Sequence, residues 1–94
     1  MSDAGDTQRL DKWLWIARFF KTRSMSAAVC GKGRVRVNRV VVEKAHYGVR
    51  PGDVLTFPQA DRIRVVRILG IGARRGPARE AQLLYEDLDA GDSD

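Results

Sequence analysis

Apolar residues recur at helical spacing through Leu10, Trp13, Leu14, Ala17 and Phe20, predicting a first helix that starts at Leu10. Asp11 suits its first turn, and residues 1–8 before it are small and polar and expected to be disordered. At about 100° per residue, Asp11, Lys12, Trp15, Arg18 and Phe19 fall on the opposite side of that helix. Two large aromatics there either pack under the C-terminal segment or stack on bases. Ser24 reads as the N-cap of a second helix over about 25–31, with Gly31 or Gly33 ending it in a left-handed conformation.

Period-two alternation follows. Residues 34–37 read as a strand with Val35 and Val37 on one face and Arg34 and Arg36 on the other. Asn38-Arg39 is a two-residue hairpin turn, and residues 40–43 form the returning strand. Pro51-Gly52-Asp53 is a turn leading to a strand at 54–57. The longest strand candidate is 62–71, where Ile63 and Val65 share one face but Val66 and Ile68 share the other. That slip predicts a bulge, or a strand buried on both sides. Residues 72–77 are a basic, glycine-flanked loop. Ala81, Leu84, Tyr85 and Leu88 then fit the spacing of a short docking helix rather than a strand.

Ninety-four residues make one small domain, expected to span 9–88, with an acidic tail at 89–94. No apolar run approaches the roughly 20 residues of a membrane span, and the first residues lack the apolar core of a signal peptide. The expected location is therefore cytoplasmic. Charge changes the picture more. All 17 Lys and Arg lie in residues 9–80, against five acids (Asp11, Glu43, Asp53, Asp61, Glu80), and the other seven acids lie towards the two ends. The formal net charge of +5 thus understates a strongly cationic body, which attracts polyanions in a salt-dependent way. Thirteen of the cations are Arg, whose planar fork grips phosphate and stacks on bases.

Little in the chain suggests bond-breaking chemistry. Cys30 is the sole cysteine and reads as a small buried hydrophobe. His46 is the sole histidine and has no ligand partners at metal-binding spacing. Gly31-Lys32-Gly33 is too short for a nucleotide-binding loop, although its backbone N–H groups can face an anion. Asp11 pairs most simply with a neighbouring cation. Asp53 and Asp61 sit in turn or Arg-flanked contexts, and Ser24 and Ser26 have no base. The expectation is a binding protein, not an enzyme, with no cofactor and no metal. The donors for phosphate concentrate in KTRSMSAAVCGKGRVRVN, residues 21–38. Arg23, with Arg18 and Lys21 before it, forms a cationic patch at the junction between the helices, or else an ion pair with Asp11. Thr22 and Ser24 offer hydroxyls to phosphate, to the cap of the second helix, or to both.

Arg9-Leu10-Asp11, the first helix, Thr22-Arg23-Ser24, Ala27-Ala28-Val29, Gly33-x-Val35-x-Val37-Asn38 and Pro51-Gly52-Asp53 together resemble the S-four RNA-binding domain, also called the alpha-L motif, over about residues 9–57. RLDKWLWIARFFKTRS, Arg74-Arg75-Gly76-Pro77 and Glu80-Ala81-x-Leu83-Leu84-Tyr85-Glu86 extend the resemblance to the bacterial heat-shock protein fifteen subgroup. It implies an α+β fold of two packed N-terminal helices against a small, curved, mostly antiparallel sheet, with a short C-terminal helix. It implies RNA across the helices and first hairpin, contacted by Arg9, Lys12, Arg18, Lys21, Thr22, Arg23, Ser24, Lys32, Arg34, Asn38 and Lys44. The subgroup implies binding to large ribosomal subunits, through rRNA or tRNA, when they carry a stalled peptidyl-tRNA after dissociation, in a rescue role tied to heat shock.

Two features depart from the family pattern. The usual Asn-Gly turn is Asn38-Arg39 here, and where longer subgroup members continue in a basic extension the sequence runs into Asp-rich residues. The competing readings are a general structured-RNA or DNA binder, an accessory fragment of an RNA-modifying enzyme, and a membrane-surface peptide. Nothing in the sequence argues for stable oligomers, so a monomer is expected.

Overall fold

The computed structural model describes residues 7–88; the expected disorder of residues 1–6 and the acidic tail at 89–94 lie outside the described residues. Helices α1 (Leu10–Ile16) and α2 (Arg23–Gly31) pack on each other and on one face of an antiparallel sheet. Strand β1 (Gln8–Arg9) pairs with β4 (Gly48–Val49). The main sheet runs in the order β3 (Val40–Val42), β2 (Val35–Val37), β5 (Val54–Gln59), β6 (Arg62–Ile68), β7 (Tyr85–Asp87), with every neighbour antiparallel. The α+β architecture is as expected. Gln8 differs, because it joins a strand and its side-chain amide donates to the Gly72 carbonyl at 2.6 Å.

Both helices end in the same way, and this shapes the molecule. After α2, Gly33 adopts φ +71°. Its N–H donates to the Cys30 carbonyl and that of Arg34 to the Val29 carbonyl. This is the paired bonding of a Schellman C-cap, in which a left-handed residue turns the chain off the helix. After α1 the same pair of bonds runs from Arg18 N–H to Trp15 and from Phe19 N–H to Leu14, but the left-handed residue is Arg18, at φ +68°. The helix therefore stops at Ile16, and the reversal swings Phe19 and Phe20 into the core. Phe19 packs on Trp13, Phe57 and Tyr85, with ring centroids 4.6–6.1 Å apart. It lies under the C-terminal segment, the first of the two expected alternatives.

The cap of α2 is Thr22, whose Oγ1 accepts from the Met25 N–H at 3.1 Å; Ser24, expected to be the cap, is an exposed residue of the first turn. The helix starts two residues before the expected boundary because Thr22, not Ser24, has extended backbone. Asn38 and Arg39 both have positive φ, the signature of a type I′ turn, and join Val37 to Val40 directly. The valines of β2 face inward and Arg36 outward, as the alternation predicts.

Two expectations are corrected. Strand β6 contains no bulge: it pairs with β5 in unbroken register from Gln59 opposite Arg62 to Val54 opposite Arg67. Val66 and Ile68 form its buried face, while Ile63 stands 57% exposed on the outer face. The apolar residues on both faces reflect an apolar outer surface rather than a shift of phase. The C-terminal segment is also not a helix through Leu88. One turn, α3 (Ala78–Ala81), and a 3-10 turn, Gln82–Leu84, give way to β7 on the edge of β6. The free edge of β6 wins over helical spacing, since pairing satisfies backbone groups on both strands.

The core centres on Leu10, Trp13, Leu14, Val35, Val49, Leu55, Phe57 and Val66, all fully buried. The Trp13 indole N–H donates to the Gly70 carbonyl at 2.8 Å, which satisfies its polar atom and pins residue 70 to α1. Cys30 is buried among these side chains. Burial, then the nearby Asp11 charge, pushes its thiol pKa up from 9.0 to about 12.

Candidate nucleic-acid interface

The site is organised around a buried acid. Asp11 sits in the first turn of α1 and is only 3% exposed. Its carboxylate receives the Arg9 guanidinium in a two-pronged contact, Nε to Oδ1 and Nη2 to Oδ2, both at 3.1 Å. Arg23, the first residue of α2, approaches the same carboxylate at 3.6 Å. The Asp11 backbone is equally committed: its N–H donates to the Ala45 carbonyl at 3.1 Å, and its carbonyl accepts from the buried Ser26 hydroxyl at 2.8 Å. One residue thus ties together β1, α1, α2 and the loop after β3. Arg23 makes the ion pair with Asp11, yet its side chain remains 40% exposed and that of Arg9 52%. Two cations share one acid, so the cluster keeps a net positive charge. Their forks are held in place while leaving faces open to solvent.

Around this anchor the structure gathers much of the expected set. Lys12 follows Asp11 on α1, and Lys21, Thr22 and Ser24 flank Arg23 at the helix junction, where all three are exposed. Lys44 is brought in by the bond from Asp11 to Ala45 and is exposed. Lys12, Lys21 and Lys44 make no ion pair among the described residues. Lys32 and Arg34 lie at the far end of α2, about 13 Å from Arg23 at 1.5 Å per residue, and are also exposed. Beside them stands Glu43, whose side chain packs against Gly33.

Two expected residues stand apart because their side chains have structural partners. Asn38 lies at the hairpin turn, where its amide donates to Asp53 Oδ1 at 3.1 Å and accepts from the Val54 N–H at 3.0 Å. It locks the first hairpin to the Pro51-Gly52-Asp53 turn. Arg18 directs its Nε to the Gly76 carbonyl at 2.7 Å.

Positive charge is distributed unevenly over the molecule. Where β7 pairs with β6, Arg64 meets Asp87 at 2.9 Å on the core-facing side and Arg67 meets Glu86 at 2.8 Å on the outer side, so β7 neutralises cations of β6. Arg64 also lies 5.3 Å from the centroid of the Phe19 ring. Around the helix junction, Asp11 takes both Arg9 and Arg23, and Lys12, Lys21 and Lys44 have no ion pair among the described residues.

The basic loop at 72–77 lies closer to this face than the sequence indicates. Arg75 Nε donates to the Trp15 carbonyl at 3.0 Å and its Nη2 reaches the Phe20 carbonyl at 3.5 Å, while the guanidinium lies 5.6 Å from the Trp15 ring centroid. Trp15, one of the two aromatics left open above, thus stacks with an arginine of its own chain. The detectable signal was an Arg-Arg pair between glycines with no neighbouring acid. Sequence spacing does not reveal which helix end it covers. Among the described residues, no three His, Cys, Asp or Glu side chains come together as a metal site. No described helix is long and apolar enough to cross a membrane.

Known proteins share the sequence and the fold of this chain. The S4 domain family matches residues 8–55. The heat shock protein 15 homolog of Haemophilus influenzae is 40% identical over 84 residues, covering 87% of this chain and 62% of that protein. The heat shock protein 15 of Escherichia coli K12 is 40% identical over 79 residues, 84% of this chain and 59% of its own length. The chain thus spans about three fifths of the length of these relatives. The RQC P-site tRNA stabilizing factor of Halalkalibacterium halodurans is 36% identical over 78 residues, covering 83% of this chain and 86% of that protein. Among solved structures, the trimeric heat shock protein 15 of Vibrio cholerae superposes with a TM-score of 0.83 at 36% identity, covering 90% of this chain and 85% of that one. A trimeric relative gives no support to the expected monomer. The chain belongs to the S4 domain family.

Proposed function

We propose that this protein binds structured RNA of the large ribosomal subunit, through rRNA and P-site tRNA, on subunits left with a stalled peptidyl-tRNA. The observation that carries this reading is the helix-junction cluster. Arg9 and Arg23 are oriented by one buried carboxylate, and Lys12, Lys21 and Lys44 stand around it without counter-ions among the described residues. Such a cluster binds phosphate and positions the protein on RNA. Thr22 and Ser24 add hydroxyl donors, and Lys32 and Arg34 extend the contact along α2. Asn38 contributes by holding the hairpin. Shape and backbone charge, rather than base edges, are what this surface recognises. The Halalkalibacterium halodurans relative is named for stabilising P-site tRNA, which supports tRNA as part of the target. The role is one of binding without catalysis, in the cytoplasm, where ribosomes are found.

The test is co-sedimentation with purified large subunits, empty or carrying peptidyl-tRNA, across a salt series. Preference for loaded subunits is expected, and Arg23→Ala should weaken binding by about 1–3 kcal/mol and flatten the salt dependence. Equal affinity for loaded subunits, empty subunits and duplex DNA would refute the ribosomal assignment and leave a general nucleic-acid binder.

A further inference from the structure

The loop at 72–77 lies outside the stretch matched by the S4 domain, yet it is fastened to that stretch at several points. Gln8 donates to the Gly72 carbonyl, Arg18 to the Gly76 carbonyl, and Arg75 to the carbonyls of Trp15 and Phe20. The contacts are reciprocal: an arginine of the helix junction holds the loop, and an arginine of the loop holds the junction. The place they meet matters electrostatically. The last carbonyls of a helix have no intrahelical donor and form its negative end, which repels a phosphate. Here they lie within a few residues of Lys21, Thr22 and Arg23. The Arg75 fork sets positive charge on the Trp15 carbonyl in the last turn of α1, which also accepts from the Arg18 N–H, and on the Phe20 carbonyl just beyond the helix, so it both fixes the junction and offsets negative charge beside it.

Arg74 is the next residue along this seated loop. It is exposed and makes no ion pair among the described residues. The one acid beside the loop, Glu80, lies against Gly76 rather than in an ion pair with Arg74. We infer that the loop forms part of the RNA-binding face, with Arg74 contacting the RNA phosphate backbone and Arg75 positioning the helix junction. This rests on the RNA-binding reading above and extends that face beyond the S4 module.

The experiment measures binding of the full chain to purified large-subunit rRNA across a salt series for Arg74→Ala, Arg75→Ala and Arg23→Ala, with a thermal melt of each. Arg74→Ala is expected to melt like the parent, bind about three- to tenfold more weakly, and reduce the log–log salt slope by about 0.7–0.9, the share of one phosphate contact. Arg75→Ala is expected to weaken binding at least as much, with a lower melting temperature. Arg74→Ala therefore separates a binding role from a folding one. If Arg74→Ala binds like the parent at every salt while Arg23→Ala is weakened, the inference about the loop is overturned and the RNA-binding reading stands. If neither substitution changes binding, both the loop and the helix junction are excluded as the RNA-binding face, and if the parent chain itself fails to bind the rRNA, the RNA-binding reading is wrong.

Discussion

Arg18 occupies a position that favours glycine, and replacing it separates two effects the structure assigns to it. Its φ of +68° places a β-carbon-bearing residue in the left-handed region, which costs about 1–2 kcal/mol. Its side chain offsets that through a charge-assisted hydrogen bond to the Gly76 carbonyl at 2.7 Å. Such a bond contributes about 1–1.5 kcal/mol at an exposed residue. Arg18→Ala keeps the backbone strain and loses the bond, so it should destabilise by about 1–1.5 kcal/mol. Arg18→Gly loses the same bond but relieves the strain, less the extra freedom glycine has in the unfolded chain, and should come out near neutral. The two variants should therefore differ by about 1 kcal/mol, or about 4–8 °C in Tm for a domain of this size. Urea and thermal unfolding followed by far-UV circular dichroism give both numbers. Equal losses for alanine and glycine would show that a left-handed Arg18 does not end α1. Parental stability of Arg18→Ala would show that its bond to Gly76 contributes nothing.

Other perturbations test the remaining parts of the fold. Trp13→Ala removes a fully buried ring and leaves the Gly70 carbonyl without its donor, so stability should fall by about 3–5 kcal/mol; a loss below 1 kcal/mol in urea titration would contradict this packing. Arg39→Gly places glycine at φ +76° in the hairpin turn and should raise stability by about 0.5–1 kcal/mol, whereas a drop in Tm would argue against a type I′ turn. The Cys30 thiol is protonated more tightly in the folded than in the unfolded chain, about 12 against 9.0. Its contribution to stability is thus complete below pH 9.0 and declines as pH rises towards 12. At pH 8, a thiol-alkylating reagent should modify Cys30 in urea and spare it in the native protein; fast native labelling would refute its burial.

Legibility differed from element to element. The hairpin at Asn38-Arg39 and the alternation of Val35, Arg36 and Val37 were readable because strand period and turn chemistry are local properties. The cap of α2 was misplaced by two residues, since Thr22 and Ser24 both carry a capping hydroxyl and only backbone conformation distinguishes them. The C-terminal segment was read with the wrong period because its partner, the edge of β6, is remote in sequence. Within the candidate interface, the cations and hydroxyls of residues 9–44 were visible as residue types. Their sorting was not: Asn38 and Arg18 have structural partners, and Arg75 joins the site from sixty residues away.

The sequence by itself indicated two helices followed by strands, in a small chain that is cationic through its middle and rich there in donors that suit phosphate. Composition and short-range periodicity carry that information without reference to the fold. Only the tertiary structure decided which cations are available. Opposite charges neutralise each other where folding brings them within about 4 Å, so Arg64 and Arg67 of β6 are matched by Asp87 and Glu86 of β7 while two arginines share Asp11. Long-range pairing decided that balance, because the strength of a charge pair depends on distance in space and not along the chain.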